Sequence, residues 1–292
     1  MSTTVRVPAS TSNLGAGFDC LGLALDLWLE IEVVNGAGDP RYTGTLAGIA
    51  PEDDLIIRLA GDLERQGIRL EIRSDIPVAK GLGSSAAATV AALALRDALD
   101  EHDPDLAAIC KRAMAQEGHP DNAGPAVYGG LILSTDRPEQ LSIHPDLGIA
   151  FAVPESSVST KEARAILPAE LPRETAIAQA SGAAALILGL TTGNHALVSF
   201  GMDDRIATPY RAPLVPGFDS AVEAGTRAGA YGVAISGSGP TLVAITSRDA
   251  AGDVATAMAE ALTAAGNPAE SLTPEVSERG LSVTRRARPS AV

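Results

Sequence analysis

Aromatic side chains make up only 3% of this 292-residue sequence, with one tryptophan, four tyrosines and four phenylalanines. A core built almost without them must be aliphatic. The many alanines, with 29 glycines, predict helices lying close on sheets. Cysteine is nearly absent too. Cys20 and Cys110 are the two, which excludes a disulfide framework or a cysteine-rich metal centre and reads them as small buried hydrophobes. Long apolar runs are missing: "MSTTVRVPAS" has no apolar h-region, and "ASGAAALILGL" (180–190), the most apolar stretch, is too short to cross a bilayer. The expectation is a cytoplasmic protein with no membrane partner. Basic residues are few, 22 against 36 acidic ones, for a net charge of −14. That balance argues against nucleic acid as a partner and against adhesion to anionic lipid. An anionic substrate would have to be held by local dipoles and a few arginines against an adverse overall field.

What is present is globular: 46% apolar and 20% charged residues, over a length that suits one large domain or two ordinary ones. "TVRVPAS", "LGLALDLWLEIEVVNG" (21–36) and "IRLEIRSD" (68–75) read as strands. A helix is predicted from Ser85 to about Leu99, capped by Ser84 or Ser85, and another over 104–118, ended by Gly118 and Pro120. "YGGLILST" (128–135) and "LGIAFAVP" (147–154) read as strands. Helices follow at 173–190 and 218–229, then a hairpin over 232–247 and a helix over 249–265. The tail from Pro268 holds one possible strand, "LSVTRR", and the basic cluster "RRAR". This order predicts an α+β fold with a boundary near 155, giving units 1–154 and 155–292.

The run "PVAKGLGSSAAATVAAL" (77–93) concentrates the chemistry. It has no lysine after its last glycine, so it is not a Walker loop. Gly81-Leu82-Gly83-Ser84-Ser85-Ala86 satisfies GxGxxA, but five residues separate it from the preceding strand, and no acidic strand end follows about 20 positions later, so a dinucleotide site fails on context. What remains is a loop whose glycines let backbone approach a ligand, leading into a helix whose N-terminal amides favour an anion. Ser84 and Ser85 add hydroxyls, and Lys80 a charge at the rim. The loop alone reads equally as a helix cap that binds nothing. A serine hydrolase is excluded, because Ser238 lies in SGSGP rather than GxSxG.

Further motifs accompany it in order. "PVAKGLGSSAA" resembles the PxxxGLGSS[AG]A phosphate loop of the GHMP family of small-molecule kinases. "VPASTSNLGAGFDCLGLAL" is similar to that family's first motif in its homoserine-kinase form, and "AISGSGPTLVAI" to its third. "EGHPDNAGPAVYGGL", "STKEARAILP" and "PYRAPLVPGF" also resemble that branch, so the likeness runs from residue 5 to about 246. The resemblance implies a two-domain GHMP kinase fold, with an N-terminal ribosomal-protein-S5-like domain, a C-terminal ferredoxin-like domain and ATP in the cleft between them. It implies ATP contacts at Pro77, Val78, Ala79, Lys80, Gly81, Leu82, Gly83, Ser84, Ser85, Ala86 and Ala87, braced by Gly237, Ser238 and Gly239.

Magnesium would be held by Ser85 and Glu117, although on the residues alone Glu117 equally reads as an exposed helix end. The implied acceptor is L-homoserine, phosphorylated on its side-chain hydroxyl in a step of threonine biosynthesis. Asp19 and Asn13 match the positions for its amino group and hydroxyl end, and Arg164 and Arg211 those for its carboxylate. Thr160 and His119 match further substrate contacts. No general base is assigned, and a homodimer is the implied assembly. Three features depart from the family pattern: Asp54 replaces an asparagine near the nucleoside, Gly118 alone separates Glu117 from His119, and Lys80 stands where a small residue or arginine is common. Two rivals remain: a kinase for another alcohol (threonine, shikimate or an isoprenoid alcohol), and a non-enzymatic interaction module.

Overall fold

A computed structural model of the chain describes residues 2–36, 38–61 and 67–286. Two long strands open it, Ser2–Ser12 (β1) and Leu21–Asn35 (β2). They pair antiparallel with Val5 opposite Ile31, and the register shifts between Pro8 and Ala9, where proline has no N–H for the ladder. The remaining strands are Arg41–Gly44 (β3), Ile68–Ser74 (β4), Leu131–Leu133 (β5), Glu139–Leu141 (β6), Leu147–Pro154 (β7), Gly232–Ile235 (β8), Leu242–Ser247 (β9), Ala269–Leu272 (β10) and Ser282–Arg286 (β11). Among the described residues they form a seven-stranded sheet, β11-β1-β2-β4-β3 with β5 on β2 and β6 on β5, and a four-stranded sheet, β10-β7-β9-β8. The fold mixes helices with two sheets, the α+β class expected.

Helices Leu55–Ala60 (α1), Ser84–Leu99 (α2), Leu106–Glu117 (α3) and Ala123–Tyr128 (α4) accompany the first sheet. Thr160–Ala165 (α5), Arg173–Thr192 (α6), His195–Gly201 (α7), Thr208–Arg211 (α8), Phe218–Arg227 (α9) and Ala251–Ala264 (α10) accompany the second. The core is aliphatic. Ala87, Val90, Ala91 and Ala94 of α2 are buried with Val5, Leu23, Ile31 and Ile72 of the first sheet, and small side chains let the helix lie close on the strands. Ala150, Leu242 and Ala244 pack with Val254, Met258 and Leu262 of α10 in a second cluster. Cys110 is buried in the first cluster as a free thiol, its pKa raised to about 11 by burial, while Cys20 is half-buried.

Four expectations need correction. A cut at 154/155 does not separate the sheets, because β7 pairs with β9 and β10 while β11 returns to β1. Strand pattern is local, but the choice of partner is not. Second, α2 has no serine cap: its N-cap is Gly83, at φ 70°. Third, the strand expected over 128–135 shrinks to three residues, since α4 occupies its start and Gly129 and Gly130 both turn with positive φ. Fourth, the apolar stretch at 180–190 belongs to a 20-residue helix, α6, which by length and composition could cross a membrane. In this fold α6 packs on α7, and Gln179 and Gly182 on its inner side are buried against Ala16.

Candidate functional site

One cleft of about 410 Å³ gathers the ends of these elements. Gly81 has φ 77°, and a Cβ there would stand 2.3 Å from the carbonyl oxygen of Ser236, so only glycine fits. Ser236 Oγ donates to the Gly81 carbonyl at 2.7 Å and shares a 2.8 Å hydrogen bond with Thr11 Oγ1. The Gly237 N–H donates to Ser12 at 2.9 Å. Behind Gly83, Ser10 Oγ donates to Asn122 Oδ1 at 2.9 Å, and Asn122 Nδ2 donates to Ser12 Oγ at 2.8 Å. The loop is thus held on β1 and the β8–β9 turn by buried polar contacts, with the first amides of α2 facing the cleft. The positive end of a 16-residue helix favours an anion there.

Beside it, Ser85 Oγ and Thr89 Oγ1 both donate to Glu117 Oε1, at 3.0 and 2.8 Å. The carboxylate is thereby aimed across the start of α2. Asp105 caps the start of α3, and Gly118, in the left-handed region, ends it just past Glu117. The turn that follows puts His119 Nδ1 2.7 Å from Oδ1 of Asp121, a carboxylate only 1% exposed. That hydrogen bond holds the imidazole above its ordinary pKa, against the opposing effect of burial.

Two arginines line the same cleft. Arg164 of α5 donates to Asp19 through both ends of its fork, Nη2 to Oδ1 at 2.7 Å and Nη1 to Oδ2 at 3.1 Å. This pairing raises the arginine pKa further. Arg211, at the end of α8, is 2% exposed. Its Nε donates to the Ala163 carbonyl at 3.0 Å, its Nη1 to the Gly237 carbonyl at 2.9 Å, and its Cζ lies 5.2 Å from the centre of the Phe18 ring. Among the described residues it pairs with no carboxylate, so a buried positive charge is left facing the cleft. Burial and then the neighbouring Arg164 lower its pKa, far too high to lose the proton. Asn13 donates to the Gly237 carbonyl at 2.8 Å and accepts from the Asp19 N–H at 2.8 Å. Thr160 Oγ1 shares a 3.2 Å hydrogen bond with Ser238 Oγ.

A glycine loop on a helix start, a carboxylate beside it and two arginines in the same cleft suit a ligand that carries phosphates and a second, smaller anionic group. The family models agree: GHMP kinases N terminal domain matches residues 54–130, and GHMP kinases C terminal matches 183–264. The chain belongs to the GHMP kinase family. It is 40% identical over 280 residues to a homoserine kinase of Synechococcus sp., covering 88% of this chain and 90% of the relative. To the homoserine kinase of Moorella thermoacetica it is 38% identical over 254 residues, or 82% and 86% of the two chains. Its fold is similar to the crystal structure of homoserine kinase from Cytophaga hutchinsonii, with a TM-score of 0.82, 31% identity and 97% of each chain covered.

Within this GHMP kinase site the residues expected from the sequence are unequally placed. Asn13, Val78, Ala79, Gly81, Gly83, Ser84, Ser85, Ala86, Glu117, His119, Thr160, Arg164, Arg211, Gly237 and Ser238 line the cleft. Leu82 and Ala87 do not: they are core side chains. Pro77, Gly239 and Asp19 also stand off the lining, Gly239 with its backbone against Gly81. Lys80 is not a charge at the rim. Its Nζ donates to the carbonyls of Glu155 and Ser156 at 2.5 and 2.7 Å, and burial lowers its pKa. It ties the loop to the end of β7. Asp54 lines the cleft beside Leu46, Ile49, Leu55 and Val78, but both its oxygens are engaged, by the Ile56 N–H at 2.8 Å and the Tyr42 hydroxyl at 2.9 Å. It caps α1. Burial raises both its pKa and that of Tyr42. Sequence reasoning missed Thr89, Asp121, Asn122, Ser236 and the buried run Ser10-Thr11-Ser12. The last left a signal, three consecutive polar residues directly after Val7-Pro8-Ala9.

Proposed function

We propose that this chain, an ATP-dependent GHMP kinase, transfers the γ-phosphoryl group of ATP to the side-chain hydroxyl of L-homoserine. The observation that carries this reading is one cleft lined both by the glycine–serine start of α2 and by Arg211, which is buried and, among the described residues, paired with no carboxylate. The first suits polyphosphate, the second a small carboxylate. An amino-acid acceptor is a zwitterion, and Arg164, held by both oxygens of Asp19, offers it a positive edge with a carboxylate directly behind. Arginine's planar fork favours the carboxylate.

The loop amides of Gly81 and Gly83 and the serine hydroxyls hold the phosphates, while Leu46, Ile49, Leu55 and Val78 give an apolar wall for the nucleoside. Magnesium belongs to the same proposal: when bound, it neutralises charge on the transferring phosphate oxygens. Ser85 and Glu117 would hold it, with Thr89 orienting the carboxylate. One carboxylate and a hydroxyl are hard oxygen donors, and they fit an ion that takes its other ligands from phosphate and water. Catalysis then rests on alignment of the hydroxyl and on charge neutralisation. A cytoplasmic location is proposed with it, where ATP is supplied.

A second copy of the chain is the proposed partner, through the outer face of α6. Residues 175–202 contain no Asp, Glu, Lys or Arg. Ile177 and Leu188 of α6 and Phe200 of α7 are each more than half exposed. On a chain of net charge −14 this is a face two copies can share without like-charge repulsion.

The test is ADP release from Mg-ATP with homoserine, threonine, serine, shikimate and mevalonate in turn. Turnover with homoserine, lost in Arg211→Ala, is the expected result. Turnover with another alcohol and none with homoserine would overturn the acceptor assignment.

A further inference from the structure

The inner side of α6 is apolar except at Gln179, which is 7% exposed. Burying an amide is unfavourable unless its polar atoms are bonded, and here they are. Nε2 donates to the Ala16 carbonyl at 3.1 Å and to Asp204 Oδ1 at 3.0 Å, and Oε1 accepts from the Arg205 N–H at 2.8 Å. Both amide hydrogens are used. Asp204 is itself 6% exposed. Its carboxylate accepts from the N–H groups of Ile206, Ala207 and Thr208 at 2.6 to 3.2 Å. These are the amides that begin α8, the helix that ends in Arg211. At the other end, Ala16 lies in the turn Asn13–Asp19, and its own N–H donates to the Gly201 carbonyl at 2.8 Å. One side chain therefore spans the turn that carries Asp19 and the segment that aims Arg211.

We propose that Gln179 and Asp204 are positioning residues of the acceptor site, setting the separation between the Asn13–Asp19 turn and Arg211. This rests on the acceptor reading above. Neither side chain lines the cleft, so they act through Ala16 and α8 without touching substrate. The turn needs such support. Asn13 and Asp19 both have positive φ, 61° and 55°, and backbone of that kind persists when neighbours over-determine it. An acceptor whose two charged groups lie a few ångströms apart is sensitive to that separation, because a misplacement of about 1 Å can cost about a hundredfold in rate.

The experiment replaces Gln179 by methionine, of similar length but without the amide, and measures both substrates and local opening. Gln179→Met is expected to raise the acceptor KM about tenfold or more while the ATP KM stays within about twofold. Amide exchange is expected to accelerate in residues 13–19 and not in 81–87. A purely structural role would reduce active enzyme and leave both KM values alone. If the methionine variant fails to fold, Gln179→Asn keeps the amide but shortens its reach, and the same readouts apply. Unchanged exchange at 13–19, or an equal rise in both KM values, overturns the proposal. Should the wild-type enzyme use another alcohol, the acceptor assignment falls alone, and the exchange result with that alcohol's KM decides the bridge.

Discussion

Gly81→Ala should damage the enzyme in two separable ways, and Gly266→Ala isolates one of them. Both glycines are left-handed, at φ 77° and 81°. An alanine in that region costs about 1–2 kcal/mol, offset by about 0.4–1 kcal/mol because the unfolded chain loses freedom. Gly266 has no atom within 4 Å of the position its Cβ would take, so a loss of about 1 kcal/mol is the whole effect expected there. At Gly81 the new Cβ would stand 2.3 Å from the Ser236 carbonyl oxygen and 3.1 Å from that of Gly239. Both neighbours are backbone and cannot rotate away. An overlap of this kind adds about 1–3 kcal/mol, or displaces the loop from the β8–β9 turn. Since the Gly81 carbonyl also accepts from Ser236 Oγ, displacement would leave a buried hydroxyl with one partner fewer. Catalysis should fall about a hundredfold if the phosphates shift by about 1 Å. Urea midpoints with slopes checked for constancy, alongside kcat and the ATP KM, compare the two variants with wild type. Equal midpoints for the two, with kcat unchanged in Gly81→Ala, would show that the close approach of the two turns is not what demands glycine.

Three further outcomes are expected. Thr89→Val removes the 2.8 Å hydrogen bond to Glu117 and should raise the magnesium concentration for half-maximal activity about 10–100-fold, the usual range for a partner that orients a metal ligand; a magnesium titration with no shift refutes the assignment. His119, whose pKa is raised by Asp121, contributes stability that is fully present below its unfolded pKa of about 6.5 and is lost as pH rises through the folded value. The gap in urea midpoint between wild type and His119→Gln should therefore narrow from pH 6 to pH 8, and a widening gap would contradict the sign. Leu188→Glu places a charge on the outer face of α6 and should convert a dimer to a monomer in sedimentation equilibrium, with the ATP KM unchanged. A wild-type monomer, or a dimer indifferent to the change, would discard that face.

Where the chemistry is local, the residues announced it. The glycines of the 77–87 loop, its serines and the apolar periodicity of α2 are demands that neighbours in sequence place on each other, and the loop leads into a helix at Ser84. Lys80 was misassigned because its amine meets carbonyls 75 and 76 positions away. Ser84 and Ser85 are good capping residues by type, yet Gly83 takes the cap position, since the loop must press against Ser10. Gln179 was overlooked inside a run of alanines and leucines. A lone amide on the inner side of an apolar helix was its signal.

The sequence alone determined an α+β chain with an aliphatic core and a glycine-rich loop leading into a helix. These follow from residue type and short-range spacing, which set dihedrals and periodicity, whereas the phosphate and carboxylate roles came from the resemblance to GHMP kinases. Tertiary structure decided the rest: that β7 joins the second sheet and β11 the first, that Arg211 is buried and pairs with no carboxylate among the described residues, and that Gln179 reaches from Ala16 to Asp204. Such contacts join residues tens to hundreds of positions apart, and their partners are chosen by the packing of whole elements, which no local pattern encodes.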